Sequence, residues 1–335
     1  MGKAVTINDV AREAGVSKTT AVFVLNNRPG FSAAEGTRIR VREAAQKLGY
    51  RRSGLARALS TGRIYTVGVV LRIDSGRPQD WVYSKDVLAA MARACHKARL
   101  RLTLIPFSSD AMLSVDDVAD QRVDGLILVS HSADAFARQI YASGFPTVSI
   151  GSGYAERLVD IDQRGGVREA TEHLLALGHT KIGYVLGSNP GIRAVEERRA
   201  GYMEAMQAAG LAPQCYTNHE AQACLTQAER PTAFVTYNDD FAWQLTVAAR
   251  QVGLRIPDDL SVIGFDNTVL AETAVPPLTT IENPLDAQAE RALKVLQCLL
   301  QGKESPTMAP LATRLIHRQS TAAPSGFSPQ KEPKQ

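Results

Sequence analysis

Three polar side chains stand where strand-like runs end and could together hold a hydroxylated small molecule. Asn238 follows TAFVTY, Asp266 follows LSVIGF, and Arg198 starts a helical stretch that would pack beside them. A forked guanidinium, an amide and a carboxylate can each bridge neighbouring hydroxyls. Taken singly, Asn238 and Asp266 could equally be helix caps or turn formers, and Arg198 could pair with Glu196 or Glu197 on a surface. A second group of hydroxyls and cations lies near the N-terminus, where Ser17, Lys18, Thr19 and Thr20 open a short helical segment. Such groups can bond base edges or phosphates.

Catalytic patterns are missing from the chain. G-x-S-x-G, H-E-x-x-H and the phosphate-binding G-x-x-x-x-G-K-S/T do not occur. Cys95, Cys215, Cys224 and Cys298 form no C-x-x-C pair and read as free thiols. No enzyme activity, metal or cofactor is expected. The N-terminal residues contain no apolar leader, and no apolar run approaches the ~18 residues of a membrane span. The expected location is the cytoplasm, at the nucleoid.

Charge divides the chain. Residues 1–63 hold 12 Lys/Arg against 4 Asp/Glu, a net of +8, and because the whole chain carries +4 the remainder nets −4. A basic head on a mildly acidic body points to a polyanion partner for the head.

The elements that must position these residues can be read in order. Thr6 caps a first helix in which Ile7, Val10, Ala11 and Ala14 share one face, and Gly15 makes the turn. Ser17 caps a second helix with Ala21, Val24 and Leu25 inward, ended by Asn26 and the loop residues after it. A third helix carries Val41, Ala44, Ala45 and Leu48 at core spacing and stops at Gly49. Two short helices about a glycine turn, buttressed by a third, form a helix-turn-helix. From Thr66 onward, apolar runs alternate with helical stretches: TVGVVL, LRLTLIPF, GLILVS, PTVSI, KIGYVLG, TAFVTY and LSVIGF. That alternation implies parallel sheets covered on both faces, with ligands at the carboxyl ends of the strands.

The stretch TINDVAREAGVSKTTAVFVLNNRPG resembles the DNA-reading head of the lactose-repressor/galactose-repressor family. The family pattern D-V-A-x-x-A-G-V-S-x-x-T is intact from Asp9 to Thr20. The third helix TRIRVREAAQKLGY and the hinge GLARALSTGR are also similar, and the resemblance runs through about 320 residues. It implies an all-α helix-turn-helix head (1–50), a hinge helix and linker (51–63), and an α/β two-lobed periplasmic-binding-protein-like core with parallel sheets (64–322). Lobe one would take about 64–157 and 283–310, and lobe two about 158–282 and 311–322. Residues 323–335 read as a disordered tail.

The resemblance further implies a transcription regulator, most simply a repressor, that binds double-stranded palindromic operator DNA as a homodimer. A small molecule such as a sugar, held between the lobes, would control its operator affinity. Thr6, Ser17, Lys18, Thr19, Thr20, Phe23 and Asn26 would face DNA. Ala56, Arg57 and Leu59 would do so from the hinge, with Leu59 as a minor-groove wedge. Arg198, Asn238 and Asp266 match the family's effector contacts. On the first-lobe side, where LRIDSGRPQDWVYSKD diverges, Asp74 and Trp81 are candidate contacts, with Arg77 and Tyr83 beside them. Two departures concern the head. Phe23 replaces a polar reader and is expected either to touch a thymine methyl or to pack within the head. The loop FSAAEG before Thr37 is two residues longer than usual.

Overall fold

The computed structural model describes residues 5–27, 30–51, 62–72, 80–107, 113–120, 122–129, 134–151, 157–188, 192–304 and 308–325. Ala56, Arg57, Leu59, Asp74 and Arg77 lie outside these residues. The chain divides into two compact units, Met1–Ile64 and Tyr65–Gln335.

The first unit holds α1 (Ile7–Glu13), α2 (Lys18–Leu25) and α3 (Glu35–Lys47). At the start of α1 the backbone N–H and hydroxyl of Thr6 both donate to Asp9 Oδ2, at 2.9 and 2.7 Å. Gly15 takes φ +64° in the turn, a conformation that costs glycine little. Ser17 Oγ then accepts from Thr20 N at 3.0 Å and caps α2. Val10, Ala11, Ala14, Ala21, Val24, Leu25, Val41 and Ala44 form the core between the three helices. Lys47 Nζ donates to Glu13 at 2.6 Å and ties α3 to α1. α3 starts at Glu35, two residues before Thr37, so the last two residues of FSAAEG are helical.

The second unit contains two sheets. The first has the order β2 (Arg101–Phe107), β1 (Thr66–Arg72), β3 (Gly125–Val129), β4 (Thr147–Ile150), β5 (Leu158–Val159), all parallel. On one face lie α4 (Asp80–Lys97) and α12 (Leu285–Leu299). On the other lie α5 (Val115–Val118) and α6 (Asp134–Ala142). Leu158–Val159, given from the sequence to the start of lobe two, instead add the edge strand of this first sheet. Two residues with little apolar pattern of their own pair because β4 offers an open edge.

The second sheet has the order β11 (Arg314–Ile316), β10 (Thr279–Glu282), β9 (Ser261–Asp266), β8 (Ala233–Thr236), β6 (Ile182–Val185), β7 (Gln214–Tyr216). Only β11 is antiparallel. One face is covered by α7 (Gln163–Ala176) and α8 (Arg193–Ala208), the other by α9 (Asn218–Ala223), α10 (Asp239–Gln251) and α11 (Val269–Thr273). Central strands β6, β8 and β9 are buried throughout, as parallel strands with both faces covered must be.

Three segments link the sheets. Asp160–Asp162 lead from β5 to α7. Asn283–Pro284 lead from β10 to α12, which packs on the first sheet. Residues 308–313 return the chain to β11. The first and third run side by side: Leu311 N donates to Asp160 O at 2.9 Å, and Asp162 N to Leu311 O at 2.8 Å. The tail reading is corrected at its start, because Ser325 Oγ donates to Asp258 O at 3.0 Å. Residues 326–335 are outside the described range.

Candidate functional site

The head presents a short exposed surface at the start of α2. Lys18 and Thr19 are exposed. Ser17 and Thr20 are partly committed to each other, with hydroxyls 2.9 Å apart. Thr6 is exposed but bonded to Asp9, and exposed Asn26 closes α2. Phe23 is half-buried. Its ring meets Phe31 edge-on, with centroids 5.0 Å apart. Phe31 in turn sits on a loop whose carbonyls are held by Arg38: Nη2 donates to Phe31 O at 3.1 Å and Nε to Ala33 O at 3.2 Å. The packing alternative foreseen for Phe23 is therefore realised in part, and the remaining edge of the ring stays at the surface.

In the second unit, Arg198, Asn238 and Asp266 gather at the carboxyl ends of β8 and β9. The helix carrying the arginine begins at Arg193, so Arg198 lies in its second turn rather than at its start. Arg198 is 4% exposed, which rules out the surface pairing with Glu196 or Glu197. Its Nε donates to Gln163 Oε1 at 2.7 Å, Nη1 to Tyr237 O at 2.5 Å, and Nη2 to Asp266 Oδ1 at 3.4 Å. The guanidinium lies 3.5 Å from the centroid of the Phe265 ring and 4.7 Å from that of Tyr237. Burial works against its charge, but Asp266 and the surrounding tyrosines outweigh this and raise its pKa.

Asp266 has φ +99° and Asn267 φ +53°, two successive left-handed residues. Strain of this kind collects at ligand clamps and needs surrounding contacts to hold it. Here Asn283 Nδ2 donates to Asp266 Oδ1 at 3.1 Å, and Arg318 Nη2 to Asn267 Oδ1 at 2.7 Å. Asn283 Oδ1 accepts from Gln288 Nε2 on α12. Asn238 serves as the cap of α10, its Oδ1 accepting from Phe241 N at 3.0 Å, which leaves its amide nitrogen for another partner.

Below this site Asp239 is fully buried. Its carboxylate takes Thr268 N at 2.6 Å, Thr268 Oγ1 at 3.0 Å and Thr280 Oγ1 at 2.5 Å. Burial, with the nearby charge of Asp266, overrides those bonds and pushes its pKa up to about 7. Gly264 makes room for it: a Cβ there would lie 2.2 Å from Asp239 Oδ1.

The first sheet contributes Tyr83 from α4. Burial, then the negative charge of Asp266, raise the pKa of its phenol, while Asn283 eases ionisation by hydrogen bonding. The side chains that converge thus come from both lobes. Trp81 lies in the first turn of α4. Gln163, Asn283 and Gln288 were missed by sequence reasoning. Asn283 alone carried a signal, standing at a strand end like Asn238 and Asp266. Asp162 caps α7, its Oδ1 accepting from Gly165 N at 2.8 Å.

Comparison with known proteins agrees with this arrangement. Residues 6–53 match the family described as bacterial regulatory proteins, lacI family, and residues 171–321 match the periplasmic binding protein-like domain. The chain is 33% identical over 319 residues to the HTH-type transcriptional repressor PurR of Vibrio campbellii, covering 89% of this chain and 93% of that one. It is 29% identical over 338 residues to the HTH-type transcriptional regulator GalR of Escherichia coli, covering 96% of each. Its fold superposes on the lac repressor dimer bound to operator and the anti-inducer ONPF with TM-score 0.81 at 24% identity, over 96% of this chain and 100% of that one. It superposes on a transcriptional regulator CelR–cellobiose complex with TM-score 0.66 at 26% identity, over 94% and 99%. The chain, a helix-turn-helix joined to a two-lobed periplasmic-binding-protein-like core, belongs to the LacI/GalR family of DNA-binding transcriptional regulators controlled by small effectors.

Proposed function

We propose that this protein is a repressor whose homodimer binds a palindromic operator, and that a neutral hydroxylated small molecule, a sugar, bound between the lobes sets its operator affinity. Among the proposed effector contacts are Arg198, Asn238, Asp266 and Tyr83, with Trp81 and Asp74 on the first-lobe side. Lys18, Thr19, Phe23 and Asn26 would face the DNA, with Thr6, Ser17 and Thr20 holding the first turns in place. Ala56, Arg57 and Leu59 would meet the central minor groove.

The observation that carries the effector reading is the buried Arg198–Asp266 pair at the strand ends. The arginine's charge is already matched by a carboxylate, so an anionic ligand gains little from it. Phe265 is fully buried and the guanidinium takes one face of Tyr237, which limits stacking on a planar base. Open hydrogen-bonding edges suit hydroxyls. The cellobiose bound by the CelR relative supports the sugar reading, and the description of the PurR relative as a repressor supports the repressor reading.

The test is calorimetry of the full chain against cellobiose, galactose, ribose, adenine and hypoxanthine. It is followed by gel shifts on a duplex obtained by binding-site selection, with and without whichever compound binds. A sugar that binds wild type, fails to bind Asp266→Asn and alters the gel shift is the expected result. Binding of a purine alone overturns the sugar assignment. The absence of any sequence-preferred duplex overturns the repressor reading.

A further inference from the structure

The polar groups behind the effector site form one connected chain, in which Arg198 donates to both sides and Asp266 accepts from both sides. Gln163 Nε2 donates to Asp160 Oδ1 at 3.0 Å, and Gln163 Oε1 accepts from Arg198 Nε at 2.7 Å. Arg198 Nη2 and Asn283 Nδ2 both donate to Asp266 Oδ1, at 3.4 and 3.1 Å. Asn283 Oδ1 then accepts from Gln288 Nε2. Gln163, Asn283 and Gln288 are 4, 7 and 1% exposed. Gln163 and Asn283 each use both ends of the amide, accepting through the oxygen and donating through the nitrogen, while Gln288 donates only.

The chain reaches two of the segments that join the lobes. Asp160 sits in the first link, where its backbone carbonyl accepts from Leu311 of the third at 2.9 Å. Asn283 sits in the second link, and Gln288 belongs to the first-lobe helix it leads into. Arg198–Asp266 is the longest bond in the chain, at the outer limit for a hydrogen bond. A ligand that bridges the two groups would shorten or replace it. Gln288 Oε1 is buried and has no partner, so the first turns of α12, just after the second link, keep an unused acceptor.

We infer that Gln163, Asn283 and Gln288 are positioning residues that tie the effector site to the interlobe links, so that a change at Arg198–Asp266 is felt at both Asp160 and Asn283. This rests on the cleft being the effector site and adds the route by which occupancy reaches the hinge. Thermodynamic coupling of this kind is reciprocal, so each end must respond to a change at the other.

The experiment is hydrogen–deuterium exchange on the ligand-free full chain, comparing wild type with Gln163→Met and Gln288→Met. Gln163→Met is expected to speed exchange at 285–289 as well as around 160–166. Gln288→Met is expected to speed exchange around 160–166, each by roughly 2- to 30-fold. Gln163→Glu, which keeps the shape but loses the donor to Asp160, should reproduce the remote effect and serves if the methionine variant is too unstable to measure. Changes confined to the mutated segment overturn the inference, since a purely local structural role predicts that result. No effector is needed, so failure to find a sugar that binds would leave this outcome readable.

Discussion

Gly201 of α8 passes so close to Arg164 of α7 that a Cβ on it would lie 2.2 Å from the Arg164 carbonyl oxygen. Arg198 is one turn earlier on the same helix, and this close approach brings its guanidinium onto Gln163 at the start of α7. Gly201→Ala must push the helices apart, because the obstacle is backbone and cannot rotate away. The expected cost is about 1–3 kcal/mol, read as a lower urea midpoint with unchanged slope. Effector affinity should fall with it. A variant as stable as wild type would show that α7 and α8 can slide, and would remove this account of how Arg198 is placed.

Asp239 makes stability depend on pH in an uncommon direction. Its folded pKa of about 7 lies above the ordinary carboxylate value, so between about pH 4 and 7 the folded state binds the extra proton. Stability from this group is therefore present at low pH and is lost as pH rises through about 7. At about 1.4 kcal/mol per pKa unit the change is a few kcal/mol. In Asp239→Asn the side-chain oxygen can still accept from Thr268 N and the amide can donate to Thr280 Oγ1, so the fold should persist and the fall with pH should flatten. Denaturant titrations of both proteins at pH 5 and 8 measure the difference. Equal slopes in the two proteins would mean that the carboxyl titrates normally.

For DNA reading, the edge-on contact between Phe23 and Phe31 makes the two residues act together. Phe23→Ala should relax preference at one base pair by about 1 kcal/mol, within the range for single-position changes in specific sites. Phe31→Ala should relax the same position, because Phe23 would lose the wall that orients it. Binding-site selection on both variants checks this. Unchanged preference for Phe23→Ala makes the pair a packing contact and nothing more.

Lys18 is exposed in the first turn of α2. If it meets a phosphate, Lys18→Ala weakens all duplexes alike and lowers the magnitude of the log–log salt slope by about 1. If it meets a guanine edge, preference relaxes at one position instead. Fluorescence anisotropy across a salt series on two duplexes distinguishes the outcomes.

Sequence reading succeeded where a residue's type and its place on an element carry the information locally. All seven apolar runs from TVGVVL to LSVIGF became strands; β1, β3, β4, β6, β8 and β9 are covered on both faces and so apolar along their length, while β2 is a largely exposed edge strand. Arg198, Asn238 and Asp266 were legible from their positions beside strand ends and from the family pattern. Strands β5, β7, β10 and the three-residue β11 were not read. Leu158–Val159 is only two residues long, Gln214–Tyr216 is largely exposed, and Thr279–Glu282 has no apolar run, so pairing with a neighbour decides each of them. The amides behind the site were equally hidden. Gln163 finds its arginine 35 residues away and Asn283 its aspartate 17 residues away, and neutral amides bear no local mark of burial.

The helix Leu285–Leu299 supplies Ala289, Ala292, Leu293, Val295 and Leu296 to the core beneath the first sheet, although that sheet's strands all end by Val159. During synthesis the earlier-made lobe therefore has one apolar face only partly covered, by Asp80–Lys97, until more than a hundred further residues have emerged. Its neighbour, complete but for one antiparallel edge strand, can condense first. A nascent chain that has emerged from the ribosome as far as Glu282 should show an order of folding that is the reverse of the order of translation.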